Sequence, residues 1–421
     1  MKSKTLPSAE VVIEKLVHGG QGLGVLPDGR KVFVWNALPG EKLNVQLTKS
    51  RKDYAEGIAQ EVLQASPDRI DPIDSAYLST SPWQIMSLAT ENRHKQAILE
   101  ETFAREKVDA TFGAFQATGP ELYYRNKMEY SFWADEDGLH LALFHRGTHG
   151  KQIVEGSSIA RPEVDQTANK VCSILNQKGI RGSQLKTVVV RCNQAGDTVI
   201  ALFVKDEHFP ELDELKDTAK GIGVYFSTPK SPASVITKKM YQYGDVSLED
   251  TILDTTITYD VNSFFQVNLP IFQQALQQIK QLTDGAVNKI DMYSGVGTIG
   301  IPIGDTTALI ELDKHNIVMA KQNAKNLDIE VVQASSEQAL QYVTSDACVI
   351  VDPPRAGLHP KLIDRIIEEK PKQLVYLSCN PVTQARDLAH LQSTYKITEL
   401  TGYNFFPRTP HIECLANLVR K

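Results

Sequence analysis

The chain has 421 residues, 42% hydrophobic and 23% charged, with aromatics at 7%. That balance excludes a disordered, collagen-like or coiled-coil protein, and at about 100–200 residues per domain it suggests two or three domains with cores of their own. A formal charge of −6 argues against a protein that coats nucleic acid over its whole surface, while leaving room for a local basic track. No apolar run approaches the roughly 20 residues needed to cross a bilayer, and the opening residues Met1 to Glu10 lack the apolar stretch of a signal peptide. The five cysteines (Cys172, Cys192, Cys348, Cys379 and Cys414) are scattered. They form neither a disulfide framework nor a C-x-x-C metal pair, so reduced thiols and a cytoplasmic location are expected.

Residues 1–66 read as a small all-β unit. Val11-Val12-Ile13, Lys31 to Trp35, Lys42 to Leu47 and Gly57 to Leu63 are short alternating or β-branched runs, punctuated by Gly19-Gly20, Pro27-Asp28-Gly29 and Pro39-Gly40. Close spacing with turn signals predicts a small barrel. This segment carries a charge of +2 and the rest of the chain −8, so the barrel is the part expected to face a polyanion. Ser66 to Pro72 reads as a linker. From Pro82 to about Val108 the pattern is helical, with Ile85, Met86, Ala89, Ile98, Leu99 and Phe103 on one side. Residues 67–255 form a central α+β domain whose clearest strands are Tyr123 to Trp133 and Thr187 to Arg191. Residues 256–421 alternate regularly. A helix near Leu269–Leu282 precedes strands at Lys289 to Tyr293, Ala308 to Ile310, Glu330 to Val332, Cys348 to Val351 and Leu374 to Leu377, which indicates a mostly parallel sheet in an α/β domain.

Chemistry gathers at the carboxyl ends of those strands, where open α/β sheets bind ligands. Gly295, Gly297 and Gly300 satisfy G-x-G-x-x-G directly after a strand, and Glu311 ends the next strand, where a carboxylate can accept both hydroxyls of a ribose. The glycines alone suit NAD and S-adenosylmethionine equally, or a tight strand-to-helix turn with no ligand. Asp352-Pro353-Pro354 ends the fourth strand. The prolines stop the ladder and hold the carboxylate at the rim. The fifth strand ends in Ser378-Cys379-Asn380-Pro381, whose polar neighbours set Cys379 apart from an inert core thiol. Glu413, on its own, reads as a surface carboxylate of the last strand.

Taken in order, Asn262 to Asn268, Asp291 to Gly300, Asp352 to Leu358, Ser378 to Pro381 and His411-Ile412-Glu413 resemble the S-adenosylmethionine-dependent RNA 5-methyluridine methyltransferases. The N-terminal β segment resembles the TRAM domain, an OB-like RNA-binding barrel of the members that modify large ribosomal RNA, and Tyr124-Arg125-Asn126-Lys127 resembles the family's central-domain motif. The resemblance implies a multidomain α/β protein: a TRAM barrel over 1–66, a central α+β RNA-binding domain over 67–255 and a Rossmann-like methyltransferase domain over 256–421. It implies cofactor contacts at Gln266, Tyr293, Gly295, Glu311 and Asp352, a nucleophile at Cys379 and a base at Glu413. Arg125 and Lys127 become candidates for RNA contact. The implied reaction is methylation of C5 of a uridine, in 23S rRNA first and tRNA as the alternative, through a Cys379–C6 adduct. RNA is the implied partner, with no membrane and no obligate protein partner.

Three departures from the family pattern stand out. Pro72, Leu78, Ser81 and Ser157-Ser158 fall where many relatives place four cysteines around an iron–sulfur cluster, so no cluster and no metal are expected. Ser294 stands where the family turn often has Cys. Asn404 and Arg408 stand where an Asp and a His are usual. Two other readings compete: an amino-methyltransferase, since Asp-Pro-Pro resembles motifs that hold an exocyclic amine, and a non-catalytic RNA-binding or RNA-folding protein.

Overall fold

The computed structural model describes residues 6–421 apart from His149 and Pro232. The first five residues, on which the reading of the N-terminus partly rests, lie outside the described residues. Strands β1 (Ser8–Leu16), β2 (Gly22–Val25), β3 (Lys31–Trp35), β4 (Lys42–Ser50) and β5 (Tyr54–Gln64) close into a barrel in the order β1-β2-β3-β5-β4. Its interior is filled by the alternate residues of each strand, among them Val11, Ile13, Val32, Val34, Leu43 and Val45, as a period of two requires. Gly57 is needed where the wall is tightest, since a Cβ there would lie 2.5 Å from Val45 Cγ1. The buried Glu41 ties the barrel to the linker: it accepts from the amides of Leu38 and Ser66 and from the Arg69 guanidinium at 2.5 and 2.8 Å.

After the short helix α1 (Tyr77–Thr80) comes α2 (Leu88–Arg105), which starts where Ser87 Oγ accepts from the Thr90 amide. Ile85 and Met86 therefore precede the helix, and Ala89 is exposed. The face that α2 buries carries Glu91 and Lys95 as well as Ile98, Leu99 and Phe103, so it is apolar only in its second half. Those apolar residues share a core with β-sheet residues such as Ile290, Val349 and Tyr376. Although α2 lies before the central sheet in the sequence, it packs on the C-terminal domain.

The central domain is a seven-stranded sheet built from β6 (Lys127–Asp135), β7 (Gly138–Phe144), β8 (Lys151–Ile153), β9 (Leu185–Cys192), β10 (Thr198–Val204), β11 (Gly221–Phe226) and β12 (Lys238–Gly244). The order is β12-β11-β10-β9-β6-β7-β8. Helix α3 (Pro162–Gln177) covers one face through Val164, Ala168, Val171 and Leu175. The expected strand from Tyr123 begins only at Lys127. Tyr123 has a φ of +55°, and the next residues turn away to bridge domains: Tyr124 Oη donates to Pro407 O, and Asn126 Nδ2 donates to Gln266 O, each at 3.0 Å. A hairpin, β13 (Ser247–Ile252) with β14 (Thr255–Asp260), follows. Leu253 and Asp254 both have positive φ at its two-residue loop, the requirement of a type I′ turn. The hairpin residues Leu248, Ile252, Ile257 and Tyr259 pack with the C-terminal domain, and the expected boundary at 255/256 falls at the start of its second strand.

The C-terminal domain has helix α4 (Leu269–Leu282), strand β15 (Lys289–Met292), helix α5 (Gly300–Ile303), strand β16 (Thr306–Glu311), helix α6 (Lys314–Asn323), and strands β17 (Glu330–Gln333) and β18 (Cys348–Val351). Helix α7 (Pro360–Glu369), strand β19 (Gln373–Ser378), helix α8 (Pro381–Leu391) and strands β20 (Tyr395–Tyr403) and β21 (Glu413–Arg420) complete it. The sheet order is β17-β16-β15-β18-β19-β21-β20, with β21 antiparallel to both its neighbours. All five strands expected from the alternation are present and parallel to one another. Helices cover both faces, so β15, β18 and most of β19 are buried throughout. Among the described residues no helix is long and apolar enough to cross a membrane.

Candidate active site

The turn after β15 is built by backbone conformations that few side chains tolerate. Tyr293, Gly295 and Gly297 have φ of +65°, +58° and +91°. Gly295 N donates to Glu311 Oε2 at 2.8 Å, and the Asp313 amide donates to Glu311 Oε1 at 2.6 Å. The carboxylate that ends β16 is thus held against the glycine turn, with lone pairs left for further donors. A Cβ at Gly300 would lie 2.6 Å from Leu309 Cδ2 and 2.8 Å from Asp291 Oδ2, so the third glycine serves close helix-to-strand packing. At Gly295 the space where a Cβ would stand is open. Asp291 lies beneath the turn, where burial pushes its pKa up to about 8 although the Gly300 amide donates to it at 2.8 Å. Tyr293 Oη and Ser336 Oγ share a hydrogen bond of 2.7 Å.

The second part of the site forms at the rim of the neighbouring strands. Ser378 of β19 pairs with Cys414 of β21 in antiparallel register, and one further step along that register sets Cys379 opposite Glu413. Asp352 leaves β18 on the other side of β19. Glu413 is 5% exposed, which overturns the reading of a surface carboxylate. Burial first, and then the adjacent Asp352, raise its pKa well above the usual carboxylate range, with Arg355 acting the other way. Burial also pushes Asp352 up to about 7. The Cys379 thiol is pushed up to about 12 by burial, then by Glu413 and Asp352, against a smaller opposing effect of Arg355. Cys379 is partly accessible, whereas Cys172, Cys192, Cys348 and Cys414 are buried.

One cavity of about 1200 Å³ joins the two parts, lined by Gln266, Tyr293, Gly295, Glu311, Asp352, Cys379 and Glu413. Arg125 lines it too, but Lys127 does not. Lys127 instead pairs in register with Arg191 of β9. Burial and that guanidinium lower its pKa to about 7.

Two residues of α2 that the sequence did not flag, Glu91 and Lys95, hold Asn404 and Arg408 in the loop before Glu413. The fully buried Lys95 donates to Glu91 at 2.8 Å, to Asn404 Oδ1 at 2.7 Å and to Phe406 O at 3.1 Å. Glu91 accepts from Asn404 Nδ2 and from the Arg408 amide, both at 2.9 Å. Arg408, at φ +65°, donates to Met86 O at 2.6 Å and to Glu121 at 2.7 Å. The loop between β20 and β21 is therefore clamped from α2, Asn404 through its side chain and Arg408 through its backbone amide. In the sequence, Glu91 and Lys95 form an ordinary i,i+4 pair that reads as solvated, so only the tertiary structure reveals the clamp. Arg355 stands in a motif, and its place directly after Pro354 at the strand end was the signal available for it.

Two of the positions that many relatives fill with cluster cysteines hold hydroxyls. Gln84 Nε2 donates to Ser81 Oγ at 2.7 Å and to Ser158 Oγ at 2.9 Å, and Ser158 Oγ donates to Asp74 Oδ2 at 2.8 Å. Among the described residues no group of three or more His, Cys, Asp or Glu is placed to hold a metal ion.

A parallel-stranded domain with a glycine turn and a rim of thiol and carboxylates defines a class, and comparison with known proteins specifies it. The tRNA (Uracil-5-)-methyltransferase family model matches residues 89–421, and the TRAM domain model matches residues 8–59. The chain belongs to the RNA uracil-5-methyltransferase family and carries a TRAM barrel. Similar proteins named "Uncharacterized RNA methyltransferase" occur in Lactobacillus johnsonii (30% identical, 98% of each chain) and Thermotoga maritima (26% identical, 98% of this chain and 99% of the other). The fold is also similar to the crystal structure of Pyrococcus abyssi tRNA (uracil-54, C5)-methyltransferase in complex with S-adenosyl-L-homocysteine. That match has a TM-score of 0.80 at 25% identity and covers 97% of this chain and 100% of the other.

Proposed function

We propose that this chain transfers a methyl group from S-adenosylmethionine to C5 of a uridine in RNA, with Cys379 as nucleophile and Glu413 as base. The observation that carries the reading is the register between β19 and β21, which sets the thiol and the carboxylate opposite each other at the wall of one cavity. The cavity suits the cofactor. Gly295 leaves open the space a Cβ would fill, Glu311 keeps free lone pairs for ribose hydroxyls, and Gln266, Tyr293 and Asp352 add polar groups along the wall. When bound, S-adenosylmethionine supplies an electrophilic methyl group on a sulfonium.

Uracil C5 is a weak nucleophile, and Cys379 changes that by covalent catalysis. Its Sγ forms a bond to C6, and the C5=C6 π electrons move to C5 and the O4 carbonyl. The thiol proton passes to the ionised carboxylate of Asp352, which leaves Glu413 ionised for the later step. The C5 electron pair then accepts the methyl group. The base takes the proton from C5, the C6–S bond breaks, the double bond re-forms and Cys379 leaves as thiolate. A raised pKa suits Glu413, because its ionised form is then a stronger base. Arg355 is the cation that opposes the rise and keeps that form within reach. Neither C5 nor C6 is accessible to this chemistry within a duplex, so the uridine must be single-stranded or flipped out.

Large ribosomal RNA is the first substrate of this proposal, because the TRAM barrel resembles that of enzymes acting on it. Transfer RNA is the second, because the Pyrococcus abyssi relative is a tRNA enzyme and its match spans the barrel as well. The test is Glu413→Gln incubated with S-adenosylmethionine and each RNA. A protein–RNA adduct stable to denaturing gel electrophoresis and absent in Cys379→Ala is expected. Free RNA with normal turnover would remove Glu413 from the base role.

A further inference from the structure

The barrel does not hang free of the catalytic domain. Leu16 and Leu38, both buried, belong not to the barrel's interior but to the core that holds Ile290, Val349 and Tyr376. The β1–β2 loop closes on itself, with the Gly20 amide donating to Val17 O at 2.9 Å and the Val17 amide donating to Gln21 O at 3.0 Å. Trp83, 2% exposed, joins this loop to the one before β21. Its Nε1 donates to Gly20 O at 3.0 Å, and its amide donates to Arg408 O at 3.1 Å. The Lys95 ammonium stands 5.8 Å from the Trp83 ring centroid, within the range of a cation–π contact.

Hydrogen bonds anchor most of the loop before β21. Asn268 Nδ2 donates to Phe405 O at 2.9 Å, Tyr124 Oη donates to Pro407 O at 3.0 Å, and Asn404 and the Arg408 amide are held from α2. Pro410 has no amide proton to donate, and packing fixes it instead. Gly20, at φ +96°, lies so close that a Cβ there would stand 2.3 Å from Pro410 Cβ and 2.7 Å from Pro410 Cγ. Ordinary contact begins at 3.4 Å, so the two loops meet this closely only because residue 20 has no side chain. Pro410 is buried and precedes Glu413 by three residues. His411 and Glu413 both line the catalytic cavity.

We infer that Gly20 and Trp83 are positioning residues for Glu413, so that the barrel, through its β1–β2 loop, sets the path of the chain into the catalytic base. The inference rests on the assignment of Glu413 as base and names what holds that base in place. A carboxylate takes a proton only within hydrogen-bond reach, and a misplacement of about 1 Å caused by a remote substitution can cost on the order of a hundredfold in rate. The barrel is then part of the catalytic apparatus as well as a surface for RNA.

Two adjacent glycines separate backbone strain from contact. Gly19, at φ +92°, has no atom within 4 Å of its Cβ position, whereas Gly20 meets Pro410. Gly19→Ala and Gly20→Ala bring the same left-handed strain, but only Gly20→Ala pushes on Pro410, by about 1 Å. The full chain and its variants are assayed with tritiated S-adenosylmethionine and transcripts of 23S rRNA and tRNA. Gly20→Ala is expected to lose about a hundredfold in kcat, with KM for S-adenosylmethionine within about twofold of native. It should also accumulate a protein–RNA adduct stable to denaturing electrophoresis, because removal of the C5 proton is the step that slows. Gly19→Ala should keep the native kcat and show no adduct. Trp83→Phe keeps an aromatic ring and removes the donor to Gly20 O; it should show the same adduct with a loss of about tenfold, and it decides the matter where Gly20→Ala does not fold. S-adenosylhomocysteine binding should be unchanged throughout, since Gly295 and Glu311 lie in the other part of the site. Native turnover in Gly20→Ala and Trp83→Phe, or lost turnover without adduct, would overturn the positioning role while leaving Glu413 as base. A Glu413→Gln chain that traps no adduct would overturn the base assignment itself.

Discussion

The protonation state of Cys379 gives a prediction that can be worked through from the structure. A free thiol of pKa near 8.5 is about one quarter ionised at pH 8. Cys379, pushed up to about 12, is ionised there to only about one part in ten thousand. The deficit is roughly 3.4 decades. A more basic thiolate is intrinsically more nucleophilic, and a Brønsted coefficient of about 0.4–0.5 returns roughly 1.6 of them. The resting enzyme should therefore react with iodoacetamide at Cys379 roughly a hundredfold more slowly than free cysteine at pH 8. The rate should rise close to tenfold per pH unit through pH 7–10 without levelling. Peptide mass spectrometry of timed samples measures it, with Cys379→Ala to identify the peptide; the other four thiols are buried. A rate equal to that of free cysteine, or a plateau by pH 8, would refute the reasoning. It would mean that the resting site stabilises a thiolate and that attack need not be coupled to proton removal.

Other consequences concern the clamp, the glycine turn and the hydroxyl network. Lys95→Met strands Glu91 in a buried place, and loss of one partner of such a pair costs about 3–5 kcal/mol; adding Glu91→Gln should recover part of that loss in urea unfolding, and equal stability of the single and double variants would contradict the pairing. Asp291 keeps its proton in the folded chain up to about pH 8 but loses it near 3.9 when unfolded, so its presence erodes stability as pH rises between those values. Asp291→Asn should therefore raise the melting temperature more at pH 8 than at pH 5, and parallel curves for the two proteins would count against the buried acid. Protein purified anaerobically should hold far less than one iron and one acid-labile sulfide per chain, because Ser81 and Ser158 are engaged with Gln84 and Asp74; stoichiometric amounts would show that other groups bind a cluster.

Local signals in the sequence were enough where the structure is local. Alternation gave four of the five barrel strands but not the short β2, and the β/α rhythm gave α4 and the five parallel strands. The carboxyl ends of β15, β16, β18 and β19 then placed Gly295, Glu311, Asp352 and Cys379 along one rim. Glu413 was different: nothing in His411-Ile412-Glu413 by itself distinguishes a buried carboxylate from a surface one, and only the antiparallel return of β21 sets it opposite Cys379. The strand expected from Tyr123 failed at its first four residues because the Tyr123 and Arg125 amides donate to Ser158 O and Ile159 O while Tyr124 and Asn126 reach Pro407 O and Gln266 O in another domain, long-range causes that propensity does not carry. Lys127, a candidate for RNA contact, lies outside the cavity for a similarly long-range reason, since its register partner Arg191 is 64 residues away in sequence. The clamp of Glu91, Lys95, Asn404 and Arg408 spans more than 300 residues, and no periodicity encodes it.

The central claim is that a uridine loses its C5 proton as it gains a methyl group. RNA transcribed with uridine tritiated at C5, supplied as 23S rRNA and as tRNA, tests this directly. The account predicts tritium release to water that requires S-adenosylmethionine, keeps pace with methyl incorporation and vanishes in Cys379→Ala. Methyl incorporation without tritium release, or release that persists without Cys379, would contradict it.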